Sequence, residues 1–522
     1  MAVCKGPIGL SFKAVRNMEA RKQAMQIVFF NPQGNFDPTD RGWMEHPDFG
    51  GQLVYVKELA LAMAEMGHRV DIVTRLIRDR QWPEFAGDRD AYPEQPDVRI
   101  LRFPCGPPQF LPKEQLWPHL PEWTQRIVEF YRSHRQIPDV VTAHYADGGI
   151  VAVRFREQTG VPFTFTAHSL GAQKMDKFIH SPEEFDRRVE QFQFHRRIAA
   201  ERVSMAHASR VVVSTQLERQ EQYRHRLYRG AIRVDDDRKF AIIPPGVNLG
   251  IFGHQQWNSQ EETVRQRIRE RIQHCLPPDR RTLPLVIASS RLEAKKNHLG
   301  LVRAWAVHPQ LRQKANLMIN VSEHPEPFRD PATAASGESL RILKEICQLL
   351  DEANLWNAVF SVQLQSQHEL AAAYRLLSQK FRGIFALTTF YEPFGLAPLE
   401  AMAAGLPVVV TRNGGPSESL RDEAGNTYGV LVDPHSPEDI ARGILTLVEQ
   451  PARWHQLQQR GLQHIQTRFT WQKTAQEYLQ EIERIRQGED AAERDFPIPQ
   501  YFRDGQTEDV TPEWLRRLYY SK

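Results

Sequence analysis

Glu392 and Glu400 lie in the string Phe390-Tyr391-Glu392-Pro393-Phe394-Gly395-Leu396-Ala397-Pro398-Leu399-Glu400, which follows an apolar run and opens a helical pattern. The first N–H groups of a helix lack intrahelical partners, and together with the helix dipole they favour phosphate. With one carboxylate before the helix start and one inside it, Glu392 can reach a sugar while Glu400 accepts hydrogen bonds from ribose hydroxyls. The plainer reading is that Glu400 merely favours the helix N-terminus, an effect worth about 0.3–1 kcal/mol.

A second cluster, Ser289-Ser290-Arg291-Leu292-Glu293-Ala294-Lys295-Lys296-Asn297, follows another apolar run. A departing diphosphate needs positive charge, and Arg291 and Lys296 are placed to converge on it from a strand-to-helix loop. A solvated basic loop is the alternative. Metal does the same work in other sugar transferases through a D-x-D motif, which this chain offers at Asp88-Arg89-Asp90 and Asp235-Asp236-Asp237. Both lie in polar stretches that read as surface loops, so no metal is expected.

In the first half of the chain, Gly50 and Gly51 precede Gln52 at a helix start, exposing N–H groups to a phosphate or sugar oxygen. The first strand is followed by Asn31-Pro32-Gln33-Gly34-Asn35 rather than by G-x-G-x-x-G, which argues against a dinucleotide-dependent oxidoreductase. Gln33 and Gln52 suit a hydroxyl-rich ligand instead. Thr166-Ala167-His168-Ser169-Leu170-Gly171-Ala172-Gln173-Lys174 sits at a strand end, with His168 able to orient a sugar hydroxyl and Lys174 bringing charge to the same region. A lone histidine is more often structural, but the lysine and the strand-end position favour a ligand role.

These groups need a scaffold of alternating strands and helices. Strands are predicted at Gln26–Phe30, 70–74, 139–143, 163–167 and 210–214, with a helix bearing Val56, Leu59, Met63 and Met66 on one face and ending at Gly67. A second series runs at 285–289, 316–321, 384–389, 407–411 and 429–432. This is the pattern of two α/β, doubly wound parallel sheets, in which ligands gather outside the carboxyl ends of the strands. Pro244-Pro245-Gly246 reads as a hinge, so the expected domains are 25–246 and 247–470, with a cleft between them that closes for reaction. Residues 471–522 are expected to form C-terminal helices returning to the first domain, and in 487–522 a short helix bearing Trp514, Leu518 and Tyr519 competes with disorder. Residues 1–24 read as a leader of uncertain status.

At 522 residues the chain exceeds one hydrophobic core. Its 41% hydrophobic and 25% charged residues and net charge of +3 supply no polybasic tract for nucleic acid. Four scattered cysteines lack zinc-site spacing, no run of about 18 apolar residues occurs, and no signal peptide is evident. The expectation is a soluble cytoplasmic protein.

The GGQ segment, the HSLG segment at His168, the Arg291/Lys296 loop and the E-x7-E string occur in the order found in sucrose-phosphate synthases, which the chain resembles from about Gln26 to at least Tyr478. The resemblance implies a GT-B fold of two Rossmann-like domains, UDP-glucose as donor, fructose 6-phosphate as acceptor, retention of configuration, and no required cofactor. It assigns catalysis to His168, Arg291, Lys296 and Glu392. Donor contacts fall to Gly51, Leu364, Phe394, Gly395, Leu396, Ala397 and Glu400. Acceptor contacts fall to Gln33, Gly50, Gln52, Lys113, Lys174, Arg196 and Arg197, although Arg196 and Arg197 also fit a helix face. The base pocket departs from the family pattern at Val362-Gln363-Leu364 and Ser322-Glu323-His324. Sucrose synthase and mannosylfructose-phosphate synthase are the rival enzymes, a sugar-nucleotide sensor the rival of another class, and a separate sucrose-phosphate phosphatase an expected partner.

Overall fold

The computed structural model of the protein describes residues 24–39, 50–322, 324, 326–422 and 424–520. The leader, apart from residue 24, and Glu323 lie outside the described residues. The chain forms two compact units. The first gathers the described residues up to Val213, Arg219–Ile243 and the described residues from Thr474 onward; the second holds Ser214–Glu218 and Pro244–Lys473.

The first unit is built on eight strands: β1 (Gln26–Phe30), β2 (Arg69–Arg75), β3 (Arg89–Tyr92), β4 (Gln95–Phe103), β5 (Val140–His144), β6 (Phe163–Thr166), β7 (Arg210–Val213) and β8 (Phe240–Ile242). Their spatial order is β3-β4-β2-β1-β5-β6-β7-β8, parallel throughout except for β3 against β4. Helices cover both faces of such a sheet, so its strands read as continuous apolar runs rather than alternations. Ile27, Val28, Phe29 and Phe30 are accordingly all buried, each stabilising by up to about 1.5–3 kcal/mol.

The second unit holds β9 (Leu285–Ser289), β10 (Asn316–Asn320), β11 (Val359–Val362), β12 (Ile384–Leu387), β13 (Val408–Thr411) and β14 (Val430–Val432), in the parallel order β11-β10-β9-β12-β13-β14. In each sheet the chain winds to one side and then returns to build the other. The reversal falls between β1 and β5 in the first unit and between β9 and β12 in the second, leaving a crevice at the strands' carboxyl ends in each.

Several expectations need correction. The helix Gly51–Glu65 buries Val56, Leu59 and Met63, but Met66 is 40% exposed because the helix has already ended. β3, β4, β8 and β11 were not anticipated. β4 escaped because Arg99 and Arg102 interrupt its apolar run, and both are held by half-buried ion pairs, Arg99 with Asp71 and Arg102 with Asp90. The same pairing corrects the loop reading of Asp88-Arg89-Asp90: Asp90 lies in strand β3, and Asp88 pairs with Arg78. Residues 487–520 contain the helices Tyr501–Asp504 and Pro512–Tyr520, with Leu515 and Tyr519 buried and Trp514 and Leu518 partly so. Among the described residues, no helix is long and apolar enough to cross a membrane.

Candidate active site

In the second unit the crevice between β9 and β12 holds the two motifs that the sequence singled out. The loop after β9 is tied to the loop after β12 by two hydrogen bonds to one carbonyl, the Phe390 N–H donating to Lys295 O at 3.0 Å and the Thr389 hydroxyl Oγ1 to the same oxygen at 2.7 Å. Asn297 adds a clamp through Nδ2, which donates to the carbonyls of Thr388 and Pro434 at 2.9 and 2.7 Å. This bracing brings Lys296 Nζ to 2.8 Å from Glu392 Oε2, with both side chains largely buried. Arg291 does not join them: its side chain is 76% exposed and pairs with Glu293 at 3.1 Å.

Glu392 is fixed from a third direction that sequence reasoning missed. Its N–H donates to Asn413 O at 3.2 Å and its carbonyl accepts from Gly415 N at 2.8 Å. Gly414 has φ +87°, and a Cβ there would stand 2.1 Å from Glu392 O, so both its left-handed conformation and the close approach require glycine. The glycine pair after β13 was the available signal.

The helix Leu396–Ala403 begins at Gly395, which has φ +93°. Leu396 opens the helix, and Phe394 and Ala397 pack partly against the core. Glu400 lies one turn in, half-buried. Its carboxylate makes no hydrogen bond or ion pair with the described residues, and burial pushes it up to about 7. Leu364 belongs to the core, with its N–H donating to Asn320 Oδ1 at 2.8 Å.

In the first unit a pocket at the β1–β5 crevice is lined by Gln33, Lys113, Trp117, Tyr145, Asp147, Lys174 and Arg197 among others. Three predicted cations therefore converge. Lys174 packs over the Phe192 ring at 4.8 Å and has no carboxylate within ion-pair distance among the described residues. Burial and then the charges of Lys113 and Arg197 pull its ammonium down to about 8. Arg197 spends Nε on Glu201 at 2.9 Å and Nη2 on Ser169 O at 2.7 Å, leaving Nη1 uncommitted among the described residues. Arg196 is not in this pocket; its guanidinium lies 4.5 Å over the Tyr501 ring.

Asp147, two residues beyond Tyr145 at the start of a helix, was missed because a lone aspartate carries no spacing signal. It accepts a hydrogen bond from Gln33 Nε2, and burial pushes it up to about 6 against the opposing pull of that bond and of Lys113. The pocket thus carries cations for an anionic group and a Gln33–Asp147 pair for hydroxyls.

His168 lies between these features and the helix Gly51–Glu65. It and Tyr145 hold left-handed backbones, φ +57° and +64°, at the ends of adjacent strands. Such conformations cost about 1–3 kcal/mol each and persist where surrounding contacts enforce them. The contacts are visible: His168 Nε2 is 2.9 Å from His144 Nδ1, and its ring meets Tyr55 edge-on at 5.0 Å. His144 Nε2 in turn lies 3.1 Å from Thr142 Oγ1. Burial pushes His168 down to about 3, so the ring is neutral near pH 7. At the start of its helix, Gly51 follows Gly50, whose backbone is extended. Gln52 is buried, and its Oε1 has no hydrogen-bond partner among the described residues.

Two Rossmann-like units with anion-favouring crevices at their strand ends, one built on an E-x7-E helix start, define a glycosyltransferase of the GT-B class. Residues 277–464 match the family of glycosyl transferases group 1, and residues 50–234 match the glycosyl transferase 4-like domain. The chain is 42% identical over 460 residues to a probable sucrose-phosphate synthase of Thermosipho melanesiensis, covering 88% of this chain and 97% of the relative. It is 32% identical to sucrose-phosphate synthase 4 of Arabidopsis thaliana over 90% of this chain but 49% of that protein, spanning about half the plant relative. Among solved structures, a sucrose-phosphate synthase from Thermosynechococcus elongatus matches with a TM-score of 0.62 at 25% identity, over 89% of this chain and 99% of that one. The chain belongs to the sucrose-phosphate synthase family.

Proposed function

We propose that this enzyme transfers glucose from UDP-glucose to fructose 6-phosphate with retention, giving sucrose 6-phosphate and UDP. The observation that carries this reading is the cation cluster of Lys113, Lys174 and Arg197 around a pocket that also presents Gln33 and Asp147. A free hexose brings no negative charge to Lys113, Lys174 and the uncommitted Nη1 of Arg197, which Glu201 and Glu114 answer only in part, whereas a hexose phosphate does, and its hydroxyls satisfy the amide and carboxylate.

The donor belongs to the second unit, with diphosphate near Lys296 and the Gly395 helix start, glucose beside Glu392 and ribose at Glu400. The acceptor belongs to the first unit, and the reaction requires the two ligands to meet. As the bond between glucose C1 and the diphosphate oxygen breaks, Lys296 stabilises the charge that grows on that oxygen, and Arg291 joins it only by leaving Glu293 and turning inward. The leaving oxygen takes the proton from the fructose hydroxyl as that hydroxyl bonds to C1 on the same face. His168, held neutral, orients a glucose hydroxyl by hydrogen bonding. Double displacement would need a carboxylate nucleophile at C1, and Glu392 is already committed to Lys296.

On this reading the transfer needs no metal. Asp90 pairs with Arg102, Asp88 with Arg78, Asp235 with Arg224 and Asp237 with Arg219, and Lys296 offers a positive charge to the diphosphate. A product that keeps its phosphate calls for a separate phosphatase as its consumer, and the cytoplasm is where both substrates would be met. Purified enzyme given UDP-glucose and either fructose 6-phosphate or fructose tests the reading. Product from the phosphorylated sugar is expected, and equal use of free fructose would overturn it.

A further inference from the structure

The last stretch of the first unit reaches three of the elements that line the cation pocket. Phe502 packs at 6.4 Å from the ring of Trp117, a pocket residue, and both are buried. The next turn makes an equally close approach: Gly505 has φ +72°, and a Cβ there would stand 2.3 Å from the carbonyl of Pro118, so only glycine fits. Tyr501 presents its ring to Arg196, the neighbour of Arg197 on the helix Phe194–His207. Tyr519 donates its hydroxyl to Asp176 Oδ1 at 2.8 Å, on the helix Gly171–Phe178 that carries Lys174. Asp176 Oδ2 lies 3.0 Å from His225 Nε2, and the Arg226 guanidinium covers the Tyr519 ring at 4.3 Å.

We infer that residues 490–520 are a brace that fixes the spacing of Trp117, Lys174 and Arg197, making Tyr519 and Phe502 positioning residues for the phosphorylated acceptor. The inference rests on the acceptor assignment above. The pocket cations repel one another, and Lys174 makes no direct ion pair among the described residues, the pocket carboxylate of Glu114 acting on it only at longer range. Their spacing must therefore be imposed through the elements that carry them. The brace supplies this with buried rings on two of those elements and a hydrogen bond on the third. It is also part of the core, since Tyr501, Phe502, Val510, Leu515 and Tyr519 are all buried, so deleting it would unfold the unit and report nothing about positioning.

Point variants of the full chain separate the two roles. Tyr519→Phe keeps the ring and removes the hydrogen bond, Asp176→Ala removes the acceptor, and Asp176→Asn keeps an oxygen that can still accept it. The brace predicts that Tyr519→Phe and Asp176→Ala raise KM for fructose 6-phosphate and weaken inorganic phosphate binding by about three- to tenfold, the range of one lost hydrogen bond. It predicts unchanged kcat at saturating acceptor, unchanged UDP affinity, and near-normal behaviour of Asp176→Asn. Phosphate affinity and acceptor KM unchanged in all three would overturn it, as would equal losses in UDP affinity and kcat. Calorimetry with inorganic phosphate reads the pocket without turnover. An enzyme that binds phosphate tightly but makes no sucrose phosphate would thus refute the proposed reaction while leaving the brace supported if the variant pattern holds.

Discussion

Lys296 Nζ lies 2.8 Å from Glu392 Oε2, across the point where the second sheet reverses its winding. In the proposed reaction this paired ammonium and carboxylate hold two opposed tasks in one place: the lysine favours the diphosphate, and the carboxylate opposes it while directing the sugar. Replacing Lys296 with alanine should lower kcat by about a hundred- to a thousandfold, as for other stabilisers of developing charge. Glu392→Gln should also lower kcat, yet UDP affinity should hold or improve, because the lysine is no longer neutralised. Weaker UDP binding in Glu392→Gln, measured by calorimetry, would contradict this division of labour.

Glu400 gives the proposed donor site a pH dependence. Burial lifts its pKa from 4.5 to about 7, so between those values the folded chain keeps a proton that the unfolded chain has released. Its contribution to stability is therefore full below about 4.5 and lost as pH rises through about 7. Ribose hydroxyls donate best to the ionised carboxylate, so UDP should bind more tightly as pH rises through about 7. Glu400→Gln should flatten both slopes, read by thermal unfolding and by UDP titration across that range.

The acceptor cations should discriminate between substrates. Lys174→Ala should raise KM for fructose 6-phosphate by about ten- to a hundredfold, the loss of one charge-assisted contact, with KM for UDP-glucose unchanged. Steady-state kinetics with each substrate varied in turn checks this, and an equal rise in both constants would place Lys174 outside the acceptor site.

His144 sets the ring orientation and tautomer of His168 through their 2.9 Å contact. His144→Phe fills the space without a hydrogen bond and should cost about tenfold in kcat, with acceptor phosphate binding intact. Unchanged kcat would show that His168 needs no such partner.

Much of this architecture was legible because continuous apolar runs mark buried parallel strands, as Gln26–Phe30 and Leu285–Ser289 do. β4 was hidden because its arginines find carboxylates only on neighbouring strands, Asp71 on β2 and Asp90 on β3, and such partners are invisible along the chain. The same holds at the candidate sites. Lys296 and Glu392 were each legible as ligand residues, but their pairing depends on loops braced through Lys295, Asn297 and Gly414. Asp147 became visible only when folding placed it against Gln33 and beside Lys113.

In the proposed reaction one catalyst joins a nucleotide-linked glucose to a phosphorylated hexose without inverting the anomeric carbon. The most direct test offers UDP-, ADP- and GDP-glucose and GDP-mannose, each with fructose and with fructose 6-phosphate, and identifies the product's mass and anomeric configuration. UDP-glucose with fructose 6-phosphate should give α-configured sucrose 6-phosphate and free UDP. A β-linked product, or nucleotide release only with unphosphorylated fructose, would contradict it.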